Sequence, residues 1–229
     1  MASDSFTNSN DTVLSTHDAN WEQAGGYTGT AEIISNAVQA ASGYTNTAYR
    51  YSASTSDDCQ IVKLSHSEAG NNRWSANVRS SSSSLGYGLR LNDYSNPNYA
   101  SFVVRNGNST EIGGGSISGT TAARTGNITM RIQATTAGSN VEIRVWINDV
   151  AQNFSYASGT GNSYSGAVLT NGSAATPAPI TTGNPGFFIS SSIDAANGTF
   201  DDWDDLVSGG ASRVHLLTGK LGFPLTGKL

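Results

Sequence analysis

Charged residues are scarce: only 13% of the 229 positions are Asp, Glu, Lys or Arg, about half the ~25% usual for soluble domains. That excludes a salt-bridged helical bundle or coiled coil. There is one cysteine, Cys59, so no internal disulfide can form, and no Cys/His cluster exists to build a zinc site. No apolar run approaches the ~20 residues that a membrane helix needs, and Met1-Ala-Ser-Asp-Ser5 lacks the basic and apolar regions of a secretory signal. Proline is limited to 5 residues, whereas glycine reaches 26. With abundant Ser, Thr and Asn, this composition favours short strands and tight turns in one main domain.

Charge is unevenly placed. Nine basic against seventeen acidic residues leave −8 over 1–208, while Arg213, Lys220 and Lys228 give 209–229 a charge of +3. An acidic body repels phosphates, so no nucleic-acid partner is expected.

Period-two alternation marks strands with one buried face. In Asn140–Asn148, Val141, Ile143, Val145 and Ile147 fall on one side and Glu142, Arg144 and Trp146 on the other. Ile128, Met130 and Ile132 alternate likewise upstream, and Thr135–Ser139 between the runs predicts a hairpin. Further strands are expected near 60–66, 74–79, 86–91, 99–105, 150–155 and 186–193. Ala31–Ala40 is expected to form a strand pair bent at Ser35-Asn36, and 80–84 and 156–182 to be loops. Such a meander implies an all-β, antiparallel two-sheet jelly-roll sandwich over 1–208. An extended C-terminal arm follows over 209–229.

The order of several motifs resembles the concanavalin A-like lectin/glucanase (laminin-G-like) jelly rolls found in bacterial surface and phage structural proteins. Asp4-Ser-Phe6, Leu14 and Trp21 resemble the group's opening strand. Gly88-Leu-Arg90, Tyr99 and Val103-Val-Arg-Asn-Gly107 resemble its central meander. Ile128 to Ile147, with Asn148-Asp149, resembles the pair ending in Val-Asn-Gly. Gly186-Phe-Phe-Ile189 and Phe200-Asp-Asp-Trp-Asp-Asp-Leu206 resemble the closing strands. The resemblance implies a two-sheet sandwich that binds carbohydrate or hydrolyses it.

Retaining glucanases of this architecture place two carboxylates about 5 Å apart through a Glu-x-Asp-x-Glu run. None of Glu22, Glu32, Glu68, Glu111 and Glu142 has an acidic residue two positions away, so no enzymatic activity is expected. Candidate glycan-binding residues are Trp146, Arg144, Arg90, Tyr87, Tyr94 and Tyr99, because aromatic rings stack on sugar C–H faces while guanidinium groups bind hydroxyls. No cofactor is expected, although Asp202 and Asp204 share one side of an extended strand and are hard oxygen ligands suited to Ca2+. The competing reading of that acidic run is a charged, solvated edge strand. Asp57-Asp58 is a turn or a contributor to a metal site.

The tail repeats itself: Leu217-Thr-Gly-Lys-Leu221 and Leu225-Thr-Gly-Lys-Leu229 flank Gly-Phe-Pro. Leu217, Lys220, Leu221, Phe223, Leu225, Lys228 and Leu229 make a cationic apolar arm suited to assembly. The leading expectation is a virion structural protein, a capsid decoration or tail-fibre component that is made without a secretory signal. Its partners would be other copies of itself, capsid or tail proteins, and a host-surface glycan, with no membrane. The alternatives are a free carbohydrate-binding module and, behind it, a glycoside hydrolase.

Overall fold

The computed structural model describes residues 3–41, 46–53, 59–66, 74–92, 98–99, 101–117, 122–123, 128–190 and 200–205. Nearly every element is a strand, and all pairings are antiparallel. The single helix among the described residues, α1 (Leu14–His17), is one turn. None is long and apolar enough to cross a membrane.

Two sheets carry the fold. The eleven-stranded sheet runs β18 (Asn162–Ser165), β19 (Val168–Asn171), β15 (Asn140–Ile147), β14 (Ile128–Ala137), β7 (Cys59–His66), β21 (Phe200–Asp205), β5 (Ala37–Ala40), β4 (Ala31–Ile34) and β2 (Thr12–Val13). To these it adds β1 (Ser3–Asp4) beside β21 and β16 (Val150–Ala151) beside β15. The eight-stranded sheet runs β17 (Tyr156–Ala157), β12 (Thr110–Ser116), β11 (Ser101–Asn106), β9 (Tyr87–Asn92), β8 (Trp74–Ser80), β20 (Asn184–Ser190), β6 (Asn46–Tyr51) and β3 (Trp21–Gln23). Two short strands, β10 (Asn98–Tyr99) and β13 (Ala122–Ala123), pair separately. This is the expected all-β, two-sheet jelly-roll sandwich.

The alternation read from the sequence sets the core. Ile128, Met130, Ile132 and Ala134 of β14 and Val141, Ile143, Val145 and Ile147 of β15 are all buried. Tyr87, Leu89, Phe102, Val104, Phe187 and Ile189 meet them from the other sheet. Burying one such aliphatic or aromatic side chain stabilises by roughly 1.5–3 kcal/mol, so this interface dominates the fold. Arg79 ties the layers together: from β8 it donates across the sandwich to Thr136 Oγ1 at 3.0 Å and to the Ile180 carbonyl at 2.8 Å.

The opening motif is structural. Asp4 accepts hydrogen bonds from the Trp21 indole N–H at 2.9 Å and from the Phe6 amide at 2.8 Å, and it faces His17 Nε2 at 3.0 Å. Trp21 packs edge-on against Trp203 at 4.7 Å. Because β1 pairs with β21 through Asp4↔Trp203, the chain's start is fastened to its last described strand.

Several expectations change. The β14–β15 hairpin turns at Gly138-Ser139 rather than over Thr135–Ser139, because Thr135 and Thr136 find ladder partners in Glu142 and Val141. The segment 156–182 is not all loop: β17, β18 and β19 lie within it. The expected strand near 150–155 is only two residues long. Ser35 and Asn36 do form the turn between β4 and β5, at φ 53° and 62°. The acidic strand β21 is no edge, since β7 flanks it on one side and β5 on the other. Trp203, fully buried, takes it inside the sandwich. Asp57-Asp58, Tyr94 and the arm with Leu217, Lys220, Leu221, Phe223, Leu225, Lys228 and Leu229 lie outside the described residues.

Candidate ligand-binding face

The two sheets present their outer faces differently. On the eight-stranded sheet, Ala48 and Phe188 face out and are covered by Ala24, Leu85 and Tyr27 in a second small core. The segments at 24–27 and 81–86 form this cover. Gly25 and Gly26 donate to the Ser81 and Ser82 carbonyls at 2.9 and 2.6 Å, and Asn108 bridges Leu85 and Gly25. Gly25 has φ +67°, and a Cβ there would lie 2.6 Å from Leu85 Cδ2, so close approach of the cover requires glycine.

Arg90 belongs to this covered face. It is 7% exposed, and its guanidinium carbon lies 4.7 Å from the Phe188 ring centroid. Tyr87 points the other way, into the core, and is fully buried. Its hydroxyl donates to Asn171 Oδ1 at 2.7 Å and accepts from the Ile180 amide at 2.8 Å. Asn106 joins the same network through Asn171 Oδ1 and the Ala178 carbonyl, both at 3.0 Å. Burial pushes the Tyr87 pKa up to about 12, with the Ile180 amide and Arg79 pulling against it. Both residues were expected at a surface glycan site. The alternation of β9 was legible, but which of its sides was the core and what covered the other was not.

On the eleven-stranded sheet, the outward side chains of β14 and β15 are partly exposed instead, whereas Gln39 of β5 is buried. In the β14–β15 register Arg131 lies opposite Trp146, Gln133 opposite Arg144, and Thr135 opposite Glu142, with Thr170 of β19 next to Glu142. All of these are partly exposed. Arg144 Nη2 donates to Glu142 Oε2 at 3.1 Å, and each side chain is 36% exposed. Gln133 Nε2 donates to Thr135 Oγ1 at 3.3 Å. The result is a ladder of amide, hydroxyl, carboxylate and guanidinium groups.

At its end the Arg131 guanidinium carbon sits 3.9 Å from the Trp146 ring centroid, a stacked cation–π contact. Burial draws the Arg131 pKa down, and the negative charge of Asp149 opposes this. Across β15, the register partner of Trp146 is Ala151, an exposed residue with only a methyl group. Asn148 and Asp149 make the adjoining turn at φ 50° and 62°, the left-handed geometry that a two-residue hairpin demands. Asp149 thus does what glycine does in the motif the sequence resembles. Trp146 and Arg144, singled out in the sequence, lie together on this side of β15, and Arg131, which the sequence did not single out, joins them because its partner depends on a hairpin register set by the Gly138-Ser139 turn.

The remaining candidates are less defined. Tyr99 lies in β10, opposite Ala122, apart from the Trp146 ladder in the strand pairing. Asp202 and Asp204 occupy register positions opposite Ser65 and Lys63, with an irregularity between Phe200 and Asp202. Among the described residues no three His, Cys, Asp or Glu side chains converge to hold a metal ion, so no step is assigned to Ca2+.

No protein-family model and no curated protein matches the chain. Solved structures similar to it include the VIP36 exoplasmic/lumenal domain in its Ca2+/Man3GlcNAc-bound form, 9% identical with a TM-score of 0.43 over 88% of this chain and 90% of that one. The endo-1,3-beta-glucanase of Streptomyces sioyaensis is 14% identical with a TM-score of 0.43, over 89% of this chain and 95% of that one. The metal-free lectin I-B4 of Griffonia simplicifolia is 11% identical with a TM-score of 0.43, over 89% and 98%.

Proposed function

We propose that the chain is a non-catalytic, lectin-like binding domain that takes an oligosaccharide on the outer face of its eleven-stranded sheet. The observation that supports this is Trp146, partly exposed at the end of a partly exposed ladder of polar side chains. A pyranose ring offers a C–H face to an indole and hydroxyls to flanking donors and acceptors. Here Glu142 accepts, Arg144 donates, and Gln133 and Thr135 do both. Arg131 stacks on the indole, which restricts its rotation before any ligand arrives and lowers the ordering cost of binding. The non-catalytic part of the reading rests on the sequence, where no Glu-x-Asp-x-Glu run sets two carboxylates on one side of a strand.

Glycan-array screening followed by calorimetry on the full chain tests this. Binding of at least one glycan, weakened about 10-fold or more by Trp146→Ala with the glycan recovered intact, is the expected result, since the loss of one aromatic contact is worth on the order of 1 kcal/mol or more. Binding that survives Trp146→Ala at full strength removes the face from consideration.

The duplicated pentapeptide at 217–221 and 225–229 favours a displayed form of the same function, in a capsid decoration or tail fibre assembled through the arm. A free binding module would leave that arm unused.

A further inference from the structure

Several arginines of the sandwich use their donors inside the chain. Arg50 donates to Glu22 and Asn184, Arg79 to Ile180, Ala134 and Thr136, and Arg144 to Glu142. Arg131 differs from them. Its guanidinium stacks on the Trp146 indole at 3.9 Å, and none of its N–H groups meets a hydrogen-bond acceptor among the described residues. Of its nitrogens only Nε is both buried and unpartnered, so Nη1 and Nη2 reach solvent. The outer edge of the guanidinium is an unused pair of donors whose orientation the indole holds.

A cation held this way is short of a counter-charge. Burial draws the Arg131 pKa down, and Asp149 in the adjoining turn offsets this only through its field, with no ion pair between the two. Glu142, farther along the ladder, is engaged by Arg144. A desolvated charge gains most from a partner that arrives with the opposite sign. Two N–H groups side by side match the two oxygens of a carboxylate.

The geometry points to a carboxylate-bearing sugar, a uronic or sialic acid, seated with its C–H face at Trp146 and its carboxylate on the Nη edge of Arg131. The inference rests on the binding reading above and names its ligand class. On the side away from Arg131 the register neighbour of Trp146 is Ala151, small and exposed, so a sugar ring has room beside the indole. The carboxylate of such a sugar is bonded directly to the ring, so seating the ring fixes both oxygens near it, whereas a sulfate or phosphate ester hangs from a rotating oxygen farther out. Glu142 stands four residues from Trp146 along β15, about 13 Å away. Its negative charge, although paired with Arg144, disfavours a second acidic sugar there. The ligand is then an oligosaccharide with its acid at the Arg131 end and neutral sugars toward Glu142, and the acidic body works against polyanions.

A glycan array with sialyl, glucuronyl and galacturonyl glycans beside their neutral, sulfated and phosphorylated counterparts tests the proposal on the full chain. Calorimetry then compares the tightest binder with its carboxyl-reduced form. The tightest binder is expected to carry a carboxylate, and reducing that group to weaken binding about 10-fold or more, as for other hydrogen bonds to a charged group. Arg131→Gln is expected to weaken the acid by a similar factor and leave the reduced form unchanged, so that the preference disappears, whereas Trp146→Ala weakens both. Circular dichroism melts establish that each variant is folded; if Arg131→Gln is not, the reduced ligand on the wild type carries the test. A tightest binder that is neutral, sulfated or phosphorylated, or a preference for the acid that survives Arg131→Gln, overturns the ligand class while leaving glycan binding intact. A chain that binds no glycan overturns both.

Discussion

The two outer faces of this sandwich are built from similar strands and end up in different states. On the eight-stranded sheet the outward positions include Ala48, Ser75, Gly88, Arg90 and Phe188, all buried, beneath a cover hydrogen-bonded to Gly25 and Gly26. On β14 and β15 of the eleven-stranded sheet they are Arg131, Gln133, Thr135, Glu142, Arg144 and Trp146, all partly in solvent. Small or apolar side chains let a loop approach a sheet closely, whereas long polar ones keep it away and prefer water. The covered face therefore serves stability, and the β14–β15 ladder keeps in solvent the polar groups that the proposed binding uses.

The largest expected effect breaks the cover. Phe188→Ala removes the ring that joins Leu85, Ala48 and Tyr27, and should cost about 3–5 kcal/mol in denaturant unfolding, the usual range for a buried phenylalanine. A loss below about 1 kcal/mol would mean that the loops do not seal this face.

Tyr87 gives an intermediate effect and sets the core beside both faces. Its pKa is raised in the folded state to about 12, so it holds its proton there longer than in the unfolded chain. Its contribution is complete below about pH 10 and is lost as pH rises from about 10 to 12, by roughly 2–3 kcal/mol. Tyr87→Phe should flatten that alkaline fall and, by leaving the Ile180 amide unpaired, cost about 1–3 kcal/mol at neutral pH. Unfolding across an alkaline series, run in parallel on both proteins, decides it. An unchanged alkaline limb would assign the fall to another group.

The smallest effect sharpens the contrast. Trp146→Ala removes only the stack with Arg131 and a partly exposed ring, so its stability cost should stay near or below about 1 kcal/mol, while the proposed glycan binding weakens about 10-fold or more. A cost approaching that of Phe188→Ala would show that the face is buried against something and is not an open ladder.

Much of the sandwich was legible in the sequence because period-two alternation is a local property. Val141, Ile143, Val145 and Ile147 could only be inside if Glu142, Arg144 and Trp146 were outside. Ser35-Asn36 was readable as a turn for a similar reason, since few residue pairs tolerate left-handed backbone. Tyr87 and Arg90 misled because alternation assigns sides and not what lies over them. Nothing local distinguishes a face covered by residues 24–27 and 81–86 from one left in water. The acidic run at 201–205 misled in the opposite direction: its composition suits an edge strand, yet Trp203 packs against Trp21 and holds it between β7 and β5.

By itself, then, the sequence determined the fold class, the hairpin of β14 and β15, and the side on which Trp146 stands, all consequences of spacing along a single strand. The tertiary structure decided that the outer side of Phe188 and Arg90 is covered, that Arg131 lies over Trp146, and that Tyr87 anchors an internal network. Those outcomes depend on strand order and on contacts between residues far apart in the chain, such as Tyr87 with Asn171 or Arg79 with Ile180. Such pairings become energetically favourable only once both sheets are assembled.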